Sequence, residues 1–271
     1  MDSMRKSRII YEAACKILDE MHSEAGITDS LEKYYRGDNP NPESLENVFR
    51  NLIISAQNRQ GMPRVIKFHD REHVIQEILF YYDINQISQK GADYFLRKFN
   101  VQKNRLGVDT FGKQWSQWCK AIFDSANFLN QFTDINDFTA FVESFQQNLA
   151  TRIALPLYLQ TKIYGIGFAL ACDFLKELNY QNYLKPDTHI VYICKSLELI
   201  DTKADGKNEN VLAFEAIDRL ARDVEQKPYK VDKILWLISS GKFYKDRDEN
   251  SNPISIHPRR DVLVDRVKGL I

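Results

Sequence analysis

The 271-residue sequence is short of several things, and each shortage excludes something. It has four cysteines, Cys15, Cys119, Cys172 and Cys194, and no two form a C-x-x-C pair. An iron–sulfur cluster draws on a tight cysteine run, so none is expected. Scattered thiols in a chain of this length read as small buried hydrophobes of an intracellular protein, here expected to be cytoplasmic. No window approaches the ~18 uncharged apolar residues of a membrane span, and no early apolar run could form a signal-peptide core. No membrane partner is therefore expected. Eleven glycines and eight prolines are too few for a loop-rich or low-complexity chain. Neither sign of charge is in excess, with 37 Lys and Arg against 37 Asp and Glu. That balance excludes a globally basic coat for polyanions but leaves room for a local basic face. His189 has no second His or Cys at ligand spacing, so neither a metal nor a cofactor is expected.

What is present is helical periodicity. Ile10, Ala13, Ala14, Ile17, Leu18 and Met21 fall at three- and four-residue spacing on one face. Residues 29–42 break the pattern with Gly37, Asn39, Pro40, Asn41 and Pro42, which predicts a loop. A second helix is predicted with Pro42 and Glu43 in its first turn and Leu45, Val48, Phe49, Leu52 and Ile53 on its apolar face. Further helical patterns run through 74–79, 115–123, 138–145, 191–199, 211–224 and 231–238, the last closing on Gly241 as C-cap. Strict apolar/polar alternation is hard to find, so a sheet is not expected. Aromatic stripes such as Trp115, Trp118 and Phe123 read as core.

Charge is unevenly distributed. Residues 10–49 carry nine acids and three bases, a net −6, whereas residues 90–120 carry seven bases and two acids, a net +5. Lys98, Lys103 and Arg105 lie in that basic stretch and are candidate contacts to a polyanion. The stretch from Ile254 onward adds four bases against two acids.

Two segments have the makings of chemistry. Ile163-Tyr164-Gly165-Ile166-Gly167 sets two glycines around one apolar residue, between helical patterns. Glycine permits positive φ and close backbone approach, and a helix starting near Phe168 offers its first-turn N–H groups to a phosphate. The same tripeptide also serves simply to join two packed helices. About twenty residues on, Lys185-Pro186-Asp187-Thr188-His189-Ile190 has proline at a boundary and Asp187 as N-cap of the next helix. A carboxylate fixed at a helix start can also stabilise a developing positive charge or orient a water. His189 reads as a packed or surface histidine.

Together these segments resemble the helix–hairpin–helix DNA glycosylase superfamily, which includes endonuclease III. Ile163 to Gly167 are similar to its L-P-G-V-G-like hairpin, with Tyr164 at the usual proline. Pro186 to Ile190 are similar to its V-D-T-H-V-like segment, with Asp187 at the catalytic acid. Leu52-Ile53-Ile54-Ser55-Ala56-Gln57 resembles the L-L-S-A-Q helix, whose glutamine enters the DNA stack. The three matches occur in order over residues 45–200. The resemblance implies an all-α fold of two helical subdomains around a cleft. Residues 46–185 would form one, ending in the hairpin, and 1–45 with 186–271 the other. It also implies DNA as partner, Asp187 as catalytic residue, and Gly165, Ile166, Gly167 and Gln57 as DNA contacts. No protein partner is implied.

One departure matters. Bifunctional members carry a lysine two residues after the second hairpin glycine, as the nucleophile of a Schiff base. Here that position is Ala169, and Lys162 and Lys185 fall outside the match. The resemblance thus implies a monofunctional glycosylase, with water attacking under the influence of Asp187, or a non-catalytic helix–hairpin–helix DNA-binding protein. A helical interaction protein, with G-I-G as packing and Asp187 as a cap only, is the third reading. The stretch from Gln57 to the hairpin is long for the family, which implies an insertion within 60–130.

Overall fold

The computed structural model describes residues 3–37, 40–59, 61–201, 203 and 209–271; Asn39 of the expected loop lies outside them. These residues form sixteen α-helices, one short 3-10 turn and a single antiparallel pair of strands. The fold is all-α but for that strand pair. The chain divides into two compact units, Pro40–Leu178 and Met1–Asn39 with Asn179–Ile271. The hairpin belongs to the first and Asp187 to the second.

The middle unit is built on its aromatics. Helix Leu45–Gln57 packs on Lys113–Leu129. Between them and their neighbours Phe68, Phe95, Phe99, Trp115 and Trp118 are fully buried. Phe99 lies 5.1 Å from Trp115 and 5.6 Å from Trp118, centre to centre. The Trp118 indole N–H donates to the Ile53 carbonyl at 2.9 Å, so the burial leaves that polar tip satisfied. Helix Leu45–Gln57 begins after both Pro42 and Glu43, which were expected in its first turn, because Ser44 caps it. The Ser44 hydroxyl accepts from the Asn47 N–H at 3.3 Å. Helix Leu149–Lys162 starts in a capping box, with Asn148 and Thr151 exchanging side-chain and backbone hydrogen bonds. It packs against helix Phe168–Glu177.

In the second unit, helix Ser3–Glu24 buries the predicted face Ile10, Ala13, Ala14, Ile17, Leu18 and Met21. It packs on helices Pro228–Ser240 and Glu209–Asp223. Helix Pro228–Ser240 is buried on nearly every side. It ends where Gly241 turns left-handed at φ +67 and its N–H donates to the Leu237 carbonyl at 2.8 Å. The strand pair Lys242–Arg247 with Pro253–Ser255 follows directly and departs from the expectation of no sheet. Only Phe243 and Asp246 of its longer strand are buried. Asp246 accepts from the Tyr34 hydroxyl at 2.6 Å and pairs with Lys33. An inward acid at a strand position breaks the apolar alternation by which strands are read.

Candidate nucleic-acid interface and active site

Residues 163–167 form a turn between helices Leu149–Lys162 and Phe168–Glu177, which pack on each other, and their burial explains their order. Ile163 and Ile166 are buried while Tyr164, Gly165 and Gly167 are exposed. The isoleucines anchor the turn and the glycines face outward. Gly165 takes φ +76, which an L side chain rarely adopts. Gly167 does not need that freedom: it is the extended N-cap of helix Phe168–Glu177, at φ −92 and ψ 174, and supplies no side-chain cap. The first turn of that helix therefore presents its N–H groups at an exposed end, as an anion site requires. Asp124 secures the turn by accepting the Tyr164 N–H at 2.9 Å.

The basic groups at this turn differ from those expected. The Arg59 guanidinium lies beside Gly165, with Nη1 3.4 Å from where a Cβ would stand. The Lys120 ammonium sits 5.0 Å from the Tyr164 ring centre. Lys98, Lys103 and Arg105 are exposed, but none makes a hydrogen bond, ion pair or ring contact with residues 163–167. Lys98 lies over the Tyr94 ring. Arg105 is engaged by Glu77 through two bonds of 2.7 and 2.8 Å. Lys103 opens the short helix Lys103–Leu106.

Gln57 ends helix Leu45–Gln57 and is only 4% exposed. Its Oε1 faces the Phe68 N–H at 3.4 Å. A side chain that enters a base stack must project from the surface, and this one is held in the interior by the chain that folds over the helix end. Arg59, two residues further on, is exposed.

In the other unit, Asp187 is the half-buried N-cap of helix Thr188–Ser196. Its Oδ1 accepts from the His189 N–H at 2.9 Å and the Ile190 N–H at 3.3 Å. Both bonds fall on one oxygen, and Oδ2 accepts nothing among the described residues. The carboxylate is thus fixed by its cap and still has a free oxygen. His189 Nδ1 lies 3.1 Å from the Ser239 hydroxyl, and its ring stands edge-on to Trp236 at 6.5 Å. Ala169 is the second residue of its helix and half-buried, so no amine stands at that position. Among the described residues, no three His, Cys, Asp or Glu side chains gather as a metal site, and no helix is long and apolar enough to cross a membrane. All four cysteines are free thiols.

No protein-family model and no curated protein sequence matches the chain. Two solved structures match its fold. One is an 8-oxoguanine DNA glycosylase from Methanocaldococcus jannaschii, with a TM-score of 0.52 and 16% identity over 88% of this chain and 95% of that one. The other is the 8-oxoguanine glycosylase/lyase of the same organism in complex with a 15mer DNA containing 8-oxoguanine. It has a TM-score of 0.49 and 16% identity over 88% of this chain and 97% of that one. The first likeness establishes a shared fold.

Proposed function

We propose that the protein is a monofunctional DNA glycosylase, which hydrolyses the N-glycosidic bond of a damaged or mismatched base. The observation that carries this reading is the outward-facing glycine turn between two helices, in a fold shared with an 8-oxoguanine DNA glycosylase. The turn grips a backbone phosphate through main-chain amides and the dipole of helix Phe168–Glu177, with Arg59 and Lys120 supplying the charge. The target nucleotide leaves the duplex stack, because its reacting carbon is out of reach inside it. Asp187 stabilises the oxocarbenium-like sugar through Oδ2 while a water attacks. Ala169 offers no nucleophile, so the reaction stops at an abasic site. Gln57 takes part in filling the duplex only by leaving its bond to Phe68; Lys98 and Lys103 serve as outlying electrostatic contacts, and Arg105 does so only by giving up Glu77.

The test is a panel of lesion-containing oligonucleotides, with 8-oxoguanine first because the structural neighbour is named for it. Wild type is expected to release one base, and Asp187→Asn to release it at least ~100-fold more slowly. Wild type that binds duplex yet releases no base from the panel would establish the non-catalytic binder instead.

A further inference from the structure

The unit that holds Asp187 contains a cavity with no part in the scheme above. Its volume is about 350 Å³, and its lining includes His189, Ser239, Lys242, His257, Arg260 and Asp261. The walls are tightly built. A Cβ at Gly241 would stand 2.1 Å from the Ile256 carbonyl oxygen, so only glycine lets the helix end and the 256–260 segment close on each other. The Ile256 N–H donates to the Gly241 carbonyl and the Arg259 N–H to the Ile238 carbonyl, each at 2.9 Å.

The polar groups in this wall are lopsided in charge. Lys242 and Arg260 are the basic side chains of the lining, and Asp261 is its one carboxylate. Asp261 is already engaged by the Tyr192 hydroxyl at 2.5 Å, while the Arg260 guanidinium rests 4.3 Å from the Tyr192 ring centre. Neither the Lys242 ammonium nor the His257 ring has a partner among the described residues, and both are exposed. His189 meets Ser239 through Nδ1, which leaves Nε2 open. Two cations against one carboxylate, with two imidazoles and hydroxyl donors, suit a ligand of several anionic oxygens.

We propose that this cavity holds a backbone phosphate of the DNA strand on which Asp187 acts, an inference that rests on the glycosylase reading. His189 ties the two together: its N–H is capped by Asp187 and the residue lines the cavity. Exposed Lys242 and His257 leave the cavity open to solvent, as a phosphate carried on a polymer needs.

The experiment measures duplex affinity by fluorescence anisotropy over a range of salt for wild type, Lys242→Glu, His257→Ala and Lys268→Glu. Lys268 is an exposed residue in the last turn of helix Arg260–Lys268, so its reversal alters net charge as Lys242→Glu does without touching the cavity. Lys242→Glu is expected to weaken binding about tenfold and to reduce the slope of log K against log salt by about 1. His257→Ala is expected to weaken it about threefold, and Lys268→Glu by less than about twofold. Equal losses for Lys242→Glu and Lys268→Glu, unchanged affinity in Lys242→Glu, or no duplex binding by wild type would each overturn the proposal. Inorganic phosphate, titrated against Trp236 fluorescence, separates the sources. If it binds while Lys242→Glu keeps full duplex affinity, the cavity serves a free phosphate and the proposal falls. Excision measured on the same preparations keeps the two readings apart: lost affinity in Lys242→Glu with no base release by wild type counts against the glycosylase, not the cavity.

Discussion

Asp187 caps its helix through Oδ1 and, on the proposed reading, acts on the sugar through Oδ2, and an amide can keep the first of these. In Asp187→Asn the side-chain oxygen still accepts from the His189 and Ile190 N–H groups, since Asn and Asp are equally good N-caps. The negative charge that the proposed mechanism sets against the developing sugar cation is lost. The variant is therefore expected to melt within a few degrees of wild type by calorimetry while excision falls at least ~100-fold. A fall in both together would mean that the residue is a cap only. Ala169 extends the same argument: with no amine beside the hairpin, borohydride is expected to trap no protein–DNA adduct on a cleaved lesion, and efficient trapping would sink the monofunctional reading. How much of this was legible follows from what is local. Pro186 before an Asp-Thr pair announces a capped helix start, because capping is decided within four residues. Arg59 and Lys120 were not legible as hairpin neighbours, since nothing within 59–60 or 118–122 records that the chain returns more than forty residues later to lay Tyr164 and Gly165 beside them. The burial of Gln57 was not legible for the same reason: the S-A-Q pattern says what the helix end is, not what folds over it.

At the scale of elements, the hairpin divides its two glycines by conformation, and substitution exposes the division. Gly165→Ala must hold an L residue at φ +76 with Arg59 3.4 Å from the new Cβ, at a cost of about 1–2 kcal/mol. Gly167→Ala meets nothing within 4 Å at a φ open to any residue, so only the poorer N-cap is felt, about 0.5 kcal/mol. Urea denaturation of the two variants should show that order, and equal losses would contradict the assigned turn. Another element-level tie joins helices Leu45–Gln57 and Phe68–Ile78. Arg50 binds both oxygens of Glu72, at 2.5 and 2.8 Å. The Arg50 hydrogen bond holds the Glu72 carboxyl below its ordinary range despite partial burial. A depressed folded value gives stability that is complete above the unfolded value of about 4.3 and is lost as pH falls through the folded one. Glu72→Gln is thus expected to cost about 1 kcal/mol at pH 7, with the deficit closing below pH 4 in a pH series of melts. Helices like these were readable from three- and four-residue spacing because each is longer than three turns. The strand pair 242–255 was not, since three to six residues with a buried acid carry no period.

At the scale of the molecule, the opposing charge totals and the proposed contact with DNA are reconciled by where the unpaired cations stand. The basic count of 90–120 overstates what that stretch can offer, because Arg105 is neutralised by Glu77 and Lys98 leans on Tyr94. The cations that have no carboxylate partner among the described residues and stand at the proposed phosphate sites are Arg59 and Lys120 at the hairpin and Lys242 and Arg260 at the cavity. In the proposed contact the hairpin amides add grip without adding charge. Counterion release scales with the phosphates neutralised by cations, at about 0.9 per phosphate on B-DNA. Four such cations therefore predict a slope of log K against log salt near about −3.6, far from the value of about −10 for a protein that coats its site with base. A measured slope between about −3 and −4 would fit a protein that docks at a few built phosphate sites. A slope near zero would remove DNA as the partner. One as steep as about −8 would mean that the basic stretch at 90–120, and not the hairpin and cavity, carries the contact.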